Sequence, residues 1–304
     1  MGVQKRSRPT SIAADRTKIL GFVHETLVIH YPIFSKNIKI LGFMAPKIRF
    51  APSPTGFLHR GHVLSALWVW KVAKEQKAEI LLRIEDHDQS RCRESYVDAI
   101  REDLQWLGFH WTQETRQSSH WERYQEALEE LNQLGFVYAC QCSRQELSGM
   151  RAYPGTCRSK QIPWSLNTPI GLRVRIPENE IIWNDRRLGS FIENPALLDG
   201  DTLLRDRLGQ WTYQFSVVVD DLQEGIDWIV RGEDLLDSTA RQISLGQLLG
   251  REKPAQFLHH PLLSDSNGKK LSKRELSRSI RQDRLDGISP EQILQEVKDA
   301  SGFF

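Results

Sequence analysis

Arg49-Phe50-Ala51-Pro52-Ser53-Pro54-Thr55-Gly56, running on to His59-Arg60-Gly61-His62, is the stretch on which the fold turns. Residues 48–51 read as a short buried strand, and Pro52, Pro54 and Gly56 break it into a loop. A helix follows from Gly61, with Val63, Leu64, Leu67, Val69, Trp70 and Ala73 giving it a broad apolar surface. Strand, glycine-containing turn and helix N-terminus, in that order, suit a triphosphate. Compact backbone lets the phosphates approach, and the first N–H groups of the helix and its positive dipole end face them. His59 and His62 add side-chain donors. Taken alone, His-x-Gly-His also fits two surface histidines in a turn; the upstream string supplies the context.

Outward from this stretch the rhythm persists. Residues 79–84 read as a second strand ending in Glu85-Asp86, and Tyr96, Val97, Ile100, Leu104 and Leu107 keep a helical period. Strand, helix, strand, helix predicts an α/β fold, a Rossmann-like parallel sheet wound with crossover helices. Ser119 and Glu122 predict a capping box before a helix striped with Trp121, Tyr124, Leu128, Leu131 and Leu134, which Gly135 ends. Residues 138–200 change texture, with cysteines, prolines and short extended runs such as 171–176, and read as an insertion between two halves of the sheet domain. Strand pattern returns at 226–231, helix at 238–249, strand at 257–263 and a turn at 264–268. Ser289, Pro290 and Gln292 open a last helix. The expected divisions are an extension (1–46), the first half of a nucleotide-binding domain (47–137), the insertion (138–200), the second half (201–265), and a lysine loop with a short helical C-terminal region (266–304).

The 304 residues carry a net charge of +2, placed unevenly. Residues 1–43 hold seven Lys/Arg against two Asp/Glu, so the other 261 sum to −3. Overall charge therefore gives no argument for nucleic-acid binding. Residues 1–43 lack strong periodicity and repeat Lys-Ile-Leu-Gly-Phe at 18–22 and 39–43. Their basic excess suits a transit peptide, but Met44, five residues before Arg49, favours a dispensable extension. No apolar run approaches the roughly 20 residues of a membrane span, so a cytoplasmic protein without membrane contact is expected.

Lys269-Lys270-Leu271-Ser272-Lys273 follows Asn267-Gly268, a turn signal. A loop ending in lysine can close on a triphosphate and hold pyrophosphate as it departs; alone, the string also suits solvated surface. It opens a basic run, with Arg274, Arg278, Arg281 and Arg284, that reads either as a solvated helix face or as phosphate contact.

Arg49 lies inside a strand pattern, where a charge is costly unless paired. It is a structural ion pair or a ligand contact. Arg231 ends another strand, and ligands of such sheets bind outside the carboxyl ends of strands. Two arginines converging there would suit the two carboxylates of a glutamate. Cys140, Cys142 and Cys157 fall within 18 residues. Four cysteines are too few for a disulfide scaffold, so the cluster points to metal; Cys92 stands apart as a free thiol.

The two lysine- and histidine-bearing segments together resemble the HIGH and KMSKS signatures of class I aminoacyl-tRNA synthetases. Over residues 47–303 the resemblance is to the glutamyl-Q tRNA(Asp) synthetase family, a truncated relative of glutamyl-tRNA synthetases. It implies ATP-dependent activation of L-glutamate to glutamyl-adenylate, then transfer to queuosine in the anticodon loop of tRNA(Asp). It also implies a class I catalytic domain with a zinc-binding insertion and no anticodon-binding domain, since only 31 residues follow Lys273.

By the same resemblance Arg49, Phe50, Ala51, Pro52, Ser53, Glu85, Tyr213 and Arg231 bind glutamate, with Glu85 on its α-amino group. His59, Gly61, His62, Lys270, Ser272 and Lys273 bind ATP, and His59, His62 and Lys273 are catalytic. A structural Zn2+ is held by Cys140, Cys142, Tyr153 and Cys157, the tyrosine being nominated by the resemblance alone. Mg2+ is expected with ATP, with no site assigned, and the protein is expected to be a monomer. The sequence departs from the family at His87, where an apolar residue is usual. Other readings are a truncated glutamyl-tRNA synthetase acting on tRNA(Glu), a non-catalytic tRNA-binding module, and another nucleotidylyltransferase on the same fold.

Overall fold

The computed structural model describes residues 45–263 and 278–303. Residues 1–44, all but the last two of the expected extension, lie outside the described residues, as do the turn expected at 264–268 and Lys270, Ser272 and Lys273.

Alternation of apolar strand and amphipathic helix gives β1 (Lys47–Phe50), α1 (Arg60–Gln76), β2 (Glu79–Ile84), α2 (Glu94–Trp106) and β3 (Gln113–Arg116). After α3 (Trp121–Gln133) come β4 (Val137–Cys140), β5 (Gly171–Val174), the hairpin β6 (Ile181–Asp185) and β7 (Gly189–Glu193), α4 (Pro195–Leu198) and β8 (Thr202–Arg205). The second half holds α5 (Tyr213–Gln223), β9 (Trp228–Gly232), α6 (Thr239–Leu248), β10 (Gln256–His260), α7 (Ile280–Leu285) and α8 (Pro290–Ser301).

The central sheet has the order β3-β2-β1-β9-β10-β6-β7, all parallel except the β6–β7 hairpin. The order reverses at β1, which has β2 on one side and β9 on the other. A crevice opens at such a switch point, outside the carboxyl ends of the two strands. One core lies between the sheet and α1, α2 and α8. Ile48, Leu82 and Ile84 meet Leu64, Ala66, Val69, Ile100 and Ile293 there, all buried; each large side chain contributes roughly 1.5–3 kcal/mol. The α8 cap is as expected: Ser289 accepts from Gln292 N–H, Gln292 returns to the Ser289 backbone, and Pro290 takes the first turn.

Three expectations differ from the structure. Ser119 caps nothing: it lies in the 3-10 turn Gln117–Ser119, and α3 starts after His120, which makes no side-chain cap. His120 turns instead to Asp220, 2.9 Å away, so a tertiary contact overrides the local motif. Within 138–200, the β6–β7 hairpin joins the central sheet through Asp185 opposite Phe257, whereas β4 and β5 pair with β8 in a separate three-stranded antiparallel sheet. The strand expected at 257–263 ends at His260, before Pro261.

Candidate active site

The carboxyl ends of β1 and β9 and the first turn of α1 wall an open cleft of about 1620 Å³, its mouth included. Arg49, Phe50, Ala51, Pro52, Ser53, His59, Gly61, His62, Glu85, Tyr213 and Arg231 all line it. The structure thus brings together the site residues read from the first motif, Arg231 from its strand end, and Glu85 and Tyr213, which the resemblance nominated.

At one end, His59 and His62 form a reciprocal cap on α1. His59 Nδ1 accepts from Gly61 N–H, and His62 Nδ1 accepts from His59 N–H, both at 3.1 Å. The two rings pack 3.9 Å apart. Because both Nδ1 atoms are acceptors, each ring carries its proton on Nε2. Burial lowers the pKa of both; for His62, with neighbouring His59 adding to burial, it falls to about 3. Both are therefore neutral donors at the end of a helix whose first N–H groups, expected to face a phosphate, are taken within the cap instead: Gly61 donates to His59 Nδ1, and His62 and Val63 donate to His59 O. Gly61 leaves the space that the His59 ring occupies: a Cβ there would lie 2.9 Å from His59 Cε1, and the ring would have to move.

At the other end lie the charged groups. Arg49 is buried, and its Nε donates to Asp221 Oδ1 at 3.0 Å, which realises the structural ion pair. Asp221 also meets Arg83 Nη1 at 2.7 Å, and Arg83 pairs further with Glu224. Arg231, 5% exposed, differs. Its Nε donates to His259 Nε2 (2.9 Å), Nη1 to Gln242 Oε1 (2.6 Å) and Nη2 to Thr239 Oγ1 (2.7 Å). All three are uncharged, as is Tyr213, which also hydrogen-bonds to it, so no carboxylate is among these partners; Asp221 acts on it through space, and the side chain lines the cleft. Burial lowers its pKa accordingly. Glu85 is buried and lines the same cleft. Desolvation raises its carboxyl to about pH 7 against the pull of Arg83 and Arg49. Ser53 Oγ donates to the Glu85 carbonyl at 3.1 Å, and Glu85 N–H donates to Pro52 O at 3.0 Å, stitching the β1 loop to the end of β2. Burial and the Glu85 charge raise the pKa of Tyr213, which remains a phenol.

Leu263, the last described residue before the lysine segment, lines the cleft. Ser279, just beyond that segment, bridges to His59, and Ile280 N–H donates to Leu58 O at 2.8 Å. Of the basic run, Arg278 pairs with Asp283 and Asp286, Arg284 with Glu102, and Arg281 lies over the Phe57 ring. Those three arginines have protein partners, which favours the solvated-face reading for them. His87 lies outside the cleft, its Nδ1 2.6 Å from Gln117 Oε1.

A second cluster sits on β4 and the loop after it. Cys140, Cys142 and Cys157 are all free thiols, with their sulfurs within 4.8 Å of one another. Cys142 and Cys157 are 3.6 Å apart, and Tyr153 Oη lies 3.4 Å from Cys140 Sγ and 3.8 Å from Cys142 Sγ. Tetrahedral zinc with Zn–S near 2.3 Å needs sulfurs about 3.8 Å apart, so these four atoms fit one ion. Burial raises the Cys157 thiol, but hydrogen bonds from Gln141 N–H, Cys142, Tyr153 and Cys140 outweigh it and bring the pKa down to about 7. Tyr153 is fixed by a close backbone approach at Gly200, where a Cβ would fall 2.2 Å from the Tyr153 carbonyl oxygen. His120, Asp220 and Glu224 also converge. Their oxygens already accept from Arg123, Arg83, Tyr124 and Gln117, so that group is an ion-pair network rather than a metal site.

Residues 46–298 match the family model for the catalytic domain of class I tRNA synthetases (E and Q). The chain belongs to this family of ligases. It is 37% identical over 264 residues to a glutamyl-Q tRNA(Asp) synthetase of Nitratidesulfovibrio vulgaris, covering 79% of this chain and 81% of that protein. It is equally 37% identical over 261 residues to glutamate–tRNA ligase 1 of Alkalilimnicola ehrlichii, covering 82% of this chain but 55% of that one. Among solved structures, a glutamate tRNA ligase from Elizabethkingia meningosepticum, crystallised with its amino acid, matches with a TM-score of 0.68 at 30% identity, over 76% of this chain and 52% of that one. The synthetase chain thus spans about half the length of the glutamate–tRNA ligases it matches. Among its described residues no helix is long and apolar enough to cross a membrane.

The Asp221 partner of Arg49 and the support of Arg231 were missed from sequence. Asp220-Asp221 directly after the apolar run Val217-Val218-Val219 was the available signal for the first. The pair His259-His260 closing a strand was the signal for the second.

Proposed function

We propose that this synthetase-family protein activates L-glutamate with ATP and transfers it to queuosine in the anticodon loop of tRNA(Asp). The observation carrying the reading is Arg231, a buried cation hydrogen-bonded to neutral groups, lining one cleft with Glu85 and the paired histidine donors. An amino acid with a side-chain carboxylate meets both: the carboxylate pairs with Arg231 and the ammonium with Glu85. Arg49, Phe50, Ala51, Pro52, Ser53 and Tyr213 complete the glutamate walls.

In the first step an α-carboxylate oxygen of glutamate attacks the α-phosphorus of ATP, and the bond to pyrophosphate breaks. His59 and His62 offer Nε2–H to the phosphate oxygens as charge builds on them, each such donor typically supplying a few kcal/mol. Gly61 keeps the backbone close. Lys270, Ser272 and above all Lys273 are assigned to the phosphates from their sequence motif. In the second step a queuosine hydroxyl attacks the activated carbonyl and AMP leaves. No covalent enzyme intermediate is needed, so positioning supplies much of the rate. Mg2+ accompanies ATP, with no residue assigned to it. Zn2+ held by Cys140, Cys142, Tyr153 and Cys157 staples the lobe and takes no part in the reaction.

The equal identity to a glutamate–tRNA ligase supports a second reading, charging of tRNA(Glu). Labelled glutamate offered with tRNA(Asp) containing queuosine, tRNA(Asp) lacking it, and tRNA(Glu) separates the two. Label on the first alone is expected; label on tRNA(Glu) alone establishes the second.

A further inference from the structure

Arg231 lines the cleft with no carboxylate among the hydrogen-bond partners named above, and the chain behind it shows how its guanidinium is held. Arginine Nε is an obligate donor, so His259 Nε2, 2.9 Å away, is an acceptor and the imidazole proton is on Nδ1. That proton goes to Asp185 Oδ2 at 2.7 Å. Asp185 is itself immobilised: Oδ2 also takes His259 N–H at 2.8 Å, and Oδ1 takes Arg187 N–H and Leu188 N–H, both at 2.9 Å. Asp185 ends β6, His259 lies in β10 and Arg231 in β9, three neighbours in one sheet. Asp185 and His259 are almost wholly buried. Burial lowers the His259 pKa, which keeps the ring neutral and its lone pair available.

We infer that Asp185 and His259 are positioning residues for Arg231: the carboxylate fixes the imidazole tautomer, and the imidazole fixes the guanidinium while leaving its charge for a ligand carboxylate. A carboxylate placed directly on Arg231 would hold it equally well but neutralise it, as Asp221 does for Arg49. Two hydrogen bonds of relay separate orientation from neutralisation. The inference takes glutamate as the ligand, as proposed above.

Two substitutions divide the two bonds of His259. His259→Asn keeps a donor near Nδ1 for Asp185 but loses the acceptor toward Arg231. His259→Gln places an amide oxygen where Nε2 stood and gives up the Asp185 bond. Glutamate affinity is measured by titration calorimetry, with a non-hydrolysable ATP analogue as control for the intact cleft. The Asn variant is expected to bind glutamate about tenfold or more weaker and the Gln variant within about threefold of wild type, with the ATP analogue unchanged in both. Should the Asn variant not fold, His259→Met removes the same acceptor and carries the same expectation. Equal glutamate affinity in the Asn and Gln variants would overturn the inference. If wild type itself does not bind glutamate, the proposed substrate falls, and the Arg231 Nε–H resonance decides the positioning role separately. Protection from water exchange in wild type and the Gln variant, lost in the Asn variant, upholds it; the same exchange in all three overturns it.

Discussion

Arg49 lines the cleft, and its Nε lies 3.0 Å from Asp221 Oδ1, with both side chains at most 5% exposed. The same oxygen meets Arg83 Nη1 at 2.7 Å. One carboxylate thus offsets two buried cations, with Glu224 assisting on Arg83. Removing its charge leaves both guanidinium groups short of a partner in low dielectric. Asp221→Asn is expected to lower unfolding stability by about 3–5 kcal/mol, read as a shift in the denaturant midpoint. A midpoint within experimental error of wild type would contradict the pairing.

Glu85 predicts a pH dependence. Burial raises its carboxyl to about pH 7, so it is neutral below that value and charged above it. A raised acid pKa means the folded state gains from the proton at low pH and loses that gain as pH rises through 7. Binding has the opposite sign, because an ammonium ligand needs the carboxylate. Glutamate affinity is expected to rise between pH 6 and 8, by at most about tenfold per pH unit below the pKa. Calorimetry at the two pH values checks this, and Glu85→Gln should flatten the profile.

Gly61 faces the His59 ring at a distance no Cβ tolerates. Gly61→Ala should rotate His59 off its cap, costing roughly 1 kcal/mol of stability. The loss of an aimed Nε2–H should lower ATP–pyrophosphate exchange about a hundredfold. Exchange and a thermal melt on one preparation separate the two effects. Unchanged exchange would remove His59 from the phosphate end.

The sulfur cluster predicts about one zinc per chain by elemental analysis. Stripping it with a chelator at pH 6, where Cys157, with its pKa near 7, favours the thiol, should be easier than at pH 8. Metal loss should lower Tm by more than about 5 °C. Tyr153→Phe should weaken retention without abolishing it. Metal-free protein as isolated under reducing conditions, with full thermal stability, would contradict the site.

The cleft was legible where its residues share a segment. Residues 49–62 announce a strand, a loop and a helix start, and chain geometry alone then forces Arg49, Ser53, His59 and His62 around one opening. Arg231 was legible because it ends a strand, and in a parallel sheet those ends converge; Glu85 and Tyr213 were nominated by the family resemblance. The partners were not legible. Asp221 with Arg49, and Asp185 with His259, are separated by 172 and 74 residues, and pairing at that range is decided by strand order. The order β1-β9-β10-β6 sets Asp185 beside His259, and nothing local in Trp183-Asn184-Asp185 specifies it. β6 buries alternate residues, yet Ile181-Ile182-Trp183 shows no apolar–polar alternation and Ile182 is exposed, so the hairpin's place was not legible either. The failed Ser119 cap has the same origin: His120 satisfies a distant aspartate instead.

The central claim is that one cleft unites a nucleotide with a dicarboxylic amino acid. Its most direct test is ATP–pyrophosphate exchange without tRNA, run across a panel of amino acids. Glutamate is expected to support exchange, with glutamine and aspartate far weaker. Exchange driven equally well by glutamine, or exchange with none of the panel, would contradict it.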